Sequence, residues 1–126
     1  MTQRWIVDAM NVIGSRPDGW WKDRRAAMVA LVDHLEQWAS QGHRVTVVFE
    51  RPPSPPIDSS VIGIAHAPQA AANSADDEIV RIVDADQDRQ NLTVVTSDGA
   101  LAERVRDAGA SVYPAASFRN LIDPIH

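Results

Sequence analysis

The chain has 126 residues, 44% hydrophobic and 23% charged, with a net charge of −5 from 12 basic and 17 acidic side chains. That is the size of one domain with one core, expected over residues 1–126, and the composition excludes a wholly disordered or fibrous chain. The absence of cysteine excludes disulfides, thiolate zinc sites and a cysteine nucleophile, and no apolar run approaches the roughly 20 residues of a membrane helix. The start, Met1 to Asp8, meets an acid too early for a secretory segment, so a soluble cytoplasmic protein is expected.

Taken in chain order, Trp5-Ile6-Val7 reads as a first strand ending at Asp8, followed by a loop with Gly14, Pro17 and Gly19. A long amphipathic helix is predicted from about Lys22 to Ser40, because Met28, Leu31, Val32, Leu35, Trp38 and Ala39 step by three or four. Gly42 suits the position just past its end. Val45 to Phe49 is a second strand, apolar enough to be buried on both faces. The run Arg51-Pro52-Pro53-Ser54-Pro55-Pro56 lacks backbone donors and reads as a stiff, exposed loop. Val61 to Ala65 is a weaker third strand near an edge, and with the proline-rich loop it is expected to form an irregular or antiparallel excursion. A helix runs from Ser74 through Ile79, Ile82 and Val83, fading near Asp88. Leu92 to Thr96 is a fourth strand, Gly99 to about Ala108 a helix ended by Gly109, and Ser111 to Tyr113 a short fifth strand. Ser117 to Ile122 forms a last helical turn or two before Pro124. Alternating strands and helices imply an α/β domain, a mostly parallel sheet of about five strands with helices on both faces. Ligands in such sheets lie outside the carboxyl ends of the strands, where strand order reverses.

Asp8 ends the first strand, Thr96-Ser97-Asp98 the fourth, and Ser74-Ala75-Asp76-Asp77-Glu78 opens a helix. If the first and fourth strands are neighbours, Asp8 and Asp98 lie side by side. The Asp76/Asp77 start joins the same rim only if the third strand enters from the edge. Carboxylates converging in one pocket repel each other and raise a pKa. A divalent cation relieves this, and all-oxygen ligation points to Mg²⁺ or Mn²⁺ rather than zinc. Such an ion can activate water and stabilise an in-line phosphoryl displacement, with Asn11 and Ser97 adding neutral oxygens or donors. Each residue also has a purely structural alternative. Asp8 can accept loop amides and Asn11 can serve a turn; Ser74-x-x-Asp77 resembles a capping box and Ser97 or Asp98 a helix cap.

The basic residues are almost all arginine. Arg16, Lys22, Arg24 and Arg25 cluster between the first strand and the long helix, and Arg51 follows the second strand. They form either a solvated face or phosphate contacts. Trp20-Trp21 reads as covering the core at a helix entrance rather than stacking on bases. Asp84, Asp86 and Asp88 alternate like a calcium loop, but Arg89 stands where its glycine belongs and Val95 where its glutamate belongs, so a solvated helix end is expected.

Ile6-Val7-Asp8-Ala9-Met10-Asn11-Val12-Ile13-Gly14, Ser74-Ala75-Asp76-Asp77-Glu78-Ile79 and Val94-Val95-Thr96-Ser97-Asp98 occur in the order of three motifs of one family. Over about residues 4–123 the chain resembles NYN-domain proteins of the PIN-like nuclease superfamily, notably the YacP-like branch. The resemblance implies a three-layer, Rossmann-like PIN-like fold and a metal-dependent ribonuclease site. Asp8, Asp76 and Asp98 match its acidic metal-binding positions, Asp77 a position usually glutamate, and Asn11 and Ser97 its polar partners. Ala9 stands where glycine is usual, and Gly99-Ala100 after Asp98 omits a second aspartate of the broader pattern.

The leading expectation is a Mg²⁺- or Mn²⁺-dependent endoribonuclease acting on exposed single-stranded RNA. The alternative is an RNA-binding or ribosome-associated module with a weak or inactive site. A haloacid-dehalogenase-type phosphatase is disfavoured by Met10, which stands where a second aspartate is needed, and by the lack of any lysine after Lys22. A nucleotide-binding protein would want a glycine-rich first turn, which Ala9-Met10-Asn11 is not.

Overall fold

The computed structural model describes residues 3–68 and 74–124. Five strands, β1 (Arg4–Asp8), β2 (Arg44–Phe49), β3 (Gly63–His66), β4 (Leu92–Val95) and β5 (Ser111–Tyr113), form one sheet in the order β3-β2-β1-β4-β5. Every adjacent pair is parallel. The helices are α1 (Ala9–Ile13), α2 (Arg24–Ala39), α3 (Ser74–Ala85), α4 (Gly99–Asp107) and α5 (Ala115–Ile122). The chain runs outward from β1 to β3, then returns to the other side of β1, so the order reverses between β1 and β4.

The strands alternate between two cores, as a two-residue period requires when both faces are covered. Val7, Val47 and Val95 face one cluster with Leu31, Leu35, Trp38 and Phe118, under α1, α2 and α5. Ile6, Val48 and Val94 face the other with Ile79, Val83, Leu101 and Val105, under α3 and α4.

Three expectations need correction. The segment after Asp8 is a short helix, not a loop: Ala9, Val12 and Ile13 are buried, one turn of helical spacing. β3 pairs with β2 in parallel rather than antiparallel, although it does lie at the edge. Gly63 makes this pairing close, since a Cβ there would come within 2.9 Å of Thr46 Oγ1. Of the tryptophan pair, only Trp20 packs on the core; Trp21 is 54% exposed and meets Trp20 edge to face.

Other differences concern ends. A 3-10 turn at Trp20–Lys22 precedes α2, and Asp23 caps α2 by accepting the Ala26 amide hydrogen at 3.0 Å. The helix end at Asp84 to Asp88 is not simply solvated. Asp86 receives both guanidinium nitrogens of Arg4, whose Nη2 also donates to the Asp88 carbonyl at 2.7 Å. This ion pair holds the Asp86 carboxyl below the usual carboxylate range. Among the described residues no helix is long and apolar enough to cross a membrane.

Candidate active site

Asp8 is the last residue of β1 and is 5% exposed, in register with Val48 of β2. Thr96, directly after β4, is also buried and donates from Oγ1 to Asp8 Oδ2 at 3.0 Å. The Asp98 amide in turn donates to Thr96 Oγ1 at 3.1 Å. The exits of β1 and β4 are thus joined by a chain of hydrogen bonds ending on the most buried acid. Burial pushes the Asp8 carboxyl up to about 6; Asp76 and Asp98 add to the effect, and the Thr96 bond opposes it.

Parallel edge strand β3 delivers the start of α3 to this same rim, the condition the sequence left open. Asp76, in the first turn of α3, is raised above the ordinary carboxylate range by partial burial and then by Asp98. Asp77 and Glu50 push it the same way, and Arg104 opposes. Asp77 is itself exposed and pairs with Arg104 at 3.0 Å. Asp98 also caps α4, its Oδ1 accepting from the Leu101 amide at 3.0 Å. The capping alternative therefore describes one of its two carboxylate oxygens. The Ser74 side chain, and with it the capping-box alternative, lies outside the described side chains.

Asn11 and Ser97 do positional work. Asn11 Oδ1 accepts from the Ser97 amide at 2.8 Å, and Ser97 Oγ accepts from the Ala115 amide at 2.9 Å. They tie α1 to the β4 exit and the β4 exit to the start of α5. This fixes α5 two residues earlier than the sequence suggests.

The basic residues divide. Arg16 bonds to Asp123 Oδ2 at 3.1 Å, to Asn120 Oδ1 at 2.9 Å and to the Asp123 carbonyl. It fastens the segment after α1 to α5. Arg24 lies over the Trp20 ring at 5.5 Å, and Arg25 donates to the Pro55 carbonyl at 2.7 Å. Lys22, Arg24, Arg25 and Arg51 are all exposed.

Two residues that act on the acids escaped sequence reasoning. Glu50 directly follows β2, a position that the rule of strand carboxyl ends singles out. Arg104 sits in the second turn of α4, and nothing local marks it. Among the described residues, as their side chains stand, no three acidic or imidazole groups form a set that could hold one ion. The rim is an electrostatic cluster of oxygen donors, with Asp8 and Asp98 engaged in hydrogen bonds.

Comparison with known proteins agrees with this fold. Two crystal structures of Rae1 (YacP) from Bacillus subtilis, one of them a mutant, superpose with TM-scores of 0.79 and 0.75 at 20% and 22% identity. Each covers 97% of this chain, which spans 76% and 74% of theirs, and at such identity they show the fold. No curated protein matches. The model of the YacP-like NYN domain matches residues 5–126, a span that takes in every acid on the rim. With motif order, strand order and whole-length match in agreement, the chain belongs to the YacP-like NYN family of nuclease domains.

Proposed function

We propose that the chain is a Mg²⁺- or Mn²⁺-dependent endoribonuclease that hydrolyses phosphodiesters of cytoplasmic single-stranded RNA at the rim of Asp8, Asp76 and Asp98. Asp8 is the observation that carries this reading. Its carboxyl is buried where strand order reverses and is raised by burial and by two aspartates from other elements. Such an arrangement costs the fold stability when ionised and is characteristic of a working site.

The donors are all carboxylate, hydroxyl and amide oxygens, the chemistry that suits a hard divalent ion; Asp8, Asp76 and Asp98 would hold it once their side chains draw together, since as they stand they do not form a ligand set. When bound, that ion supplies Lewis-acid activation of water and offsets charge at the phosphate. The chain's own residues position the acids. Thr96 steadies Asp8 and is steadied by the Asp98 amide, while Asn11 and Ser97 hold the two strand exits together. Arg104 moderates the field at Asp76, and Asp77, which adds to that field, is itself paired with Arg104. Lys22, Arg24, Arg25 and Arg51 supply phosphate contacts in a chain whose net charge of −5 repels RNA.

The test is cleavage of an end-labelled single-stranded RNA. Cleavage is expected with Mn²⁺ or Mg²⁺, and it should stop with chelator and fall at least ~100-fold in Asp8→Asn, a loss in keeping with removal of a metal-holding group. Unchanged cleavage in that variant, or in chelator, overturns the reading. A second reading, an RNA-binding or ribosome-associated module with an inactive site, is favoured by Gly99-Ala100 after Asp98 and by the dispersed placement of the acids. Metal-independent RNA binding without cleavage selects it.

A further inference from the structure

Beside the acidic rim lies a cavity that phosphodiester chemistry does not use. Met10 of α1, Met28 of α2 and Phe49 of β2, with Arg24, Glu50 and Arg51, line a space of about 120 Å³. Phe49 is fully buried, Met10 and Met28 are half-buried, and both arginines are exposed. Two residues connect the cavity to the rim. Glu50 lines it and also acts on Asp76, and Met10 lies two positions after Asp8.

Apolar walls in a lining that also holds Arg24 and Arg51 suit a planar heteroaromatic ring carried on a chain of phosphates. Thioethers make soft, polarisable contacts with ring edges and faces, and a guanidinium both stacks on a base and neutralises a phosphate. The volume suits one ring system that has left its stack, which single-stranded RNA presents and a duplex does not. An apolar side chain of a protein partner would fill the space as well, but it makes no use of the excess of two exposed arginines over one carboxylate in the lining.

We propose that this cavity is a nucleobase subsite, taking one unstacked base of single-stranded RNA while a neighbouring phosphodiester lies at the acidic rim. The second half rests on the nuclease reading; base capture does not.

The test steps one abasic residue along a short single-stranded RNA and measures kcat/KM and affinity with the wild-type protein and Mn²⁺. One position, fixed relative to the cut, should lose roughly 5- to 100-fold, the range of base-stacking contributions, while the others change far less. Met28→Trp, which fills the cavity, should remove that positional difference. In parallel, 2-aminopurine stepped along the same RNA reports base capture by a fluorescence change without any cleavage. Position-specific fluorescence change without cleavage keeps the subsite and rejects the nuclease reading. Cleavage with equal sensitivity at every position rejects the subsite and keeps the nuclease. Equal sensitivity and a uniform fluorescence response would leave the cavity to a protein side chain. If Met28→Trp does not fold, the wild-type series decides alone.

Discussion

Thr96 has the most consequential position of any side chain that carries no charge. Its hydroxyl donates to Asp8 and accepts from the Asp98 amide, so it favours the ionised form of a carboxyl that burial disfavours. Thr96→Val should move the acid limb of the pH–rate profile to higher pH, with kcat at high pH reduced less than at pH 6; an unmoved limb would show Thr96 to be packing only. Asp8 has a sign of its own. Raising a buried carboxyl from 3.8 to about 6 costs the ionised, metal-free fold roughly 3 kcal/mol. The folded and unfolded states are both protonated below pH 4, so the penalty is absent there. It grows between about pH 4 and 6 and is complete above. In chelator, Asp8→Asn should therefore melt at or above the wild-type temperature at pH 7.5, and the advantage should shrink as the pH falls to 4. Thermal melts of both proteins across that range check it, and a variant less stable than wild type at pH 7.5 contradicts it.

Elements differ in how plainly the sequence announces them. β2 and β4 are apolar runs because both faces are buried, and α2 shows a buried stripe at Leu31, Leu35 and Trp38. α1 escaped because five residues give too short a period to separate from a loop. The parallel sense of β3 escaped because Pro52 to Pro56 mask how the chain enters it, and only Gly63 hints at the close pairing. Asp8, Asp76 and Asp98 were legible from their positions at strand and helix ends, and Glu50 was open to the same rule. The structural bonds of Arg16 were not legible, because its partners, Asn120 and Asp123, lie more than a hundred positions away, beyond any local pattern. That bond set gives α5 a specific dependence. Arg16→Ala removes charge-assisted bonds to both a side chain and a carbonyl and should cost about 2 kcal/mol, visible as a lower urea midpoint. RNA affinity should barely change; a fall in affinity without a fall in stability would return Arg16 to the RNA surface.

At the scale of the whole molecule, an acidic protein must gather a polyanion through few cations, which makes salt an informative variable. If Arg24 and Arg51 each meet one phosphate, Arg24→Ala with Arg51→Ala should lower the slope of log affinity against log salt by about 1.4, at ~0.7 per single-strand contact. Overlapping slopes would place the RNA elsewhere. Strand order carries a different consequence, one of timing. β1 is central yet made first, and Asp8 and Thr96 stand 88 positions apart. As the chain leaves the ribosome, β1 can pair with β2, and β2 with β3, while the other edge of β1 waits, backbone donors and acceptors bare, for Leu92–Val95. Non-local pairings of this kind form late, and an uncovered strand edge invites misassembly or chaperone capture. A translation product stopped before β4 thus lacks an assembled acidic rim and carries a sticky edge, inert and aggregation-prone from the same missing strand.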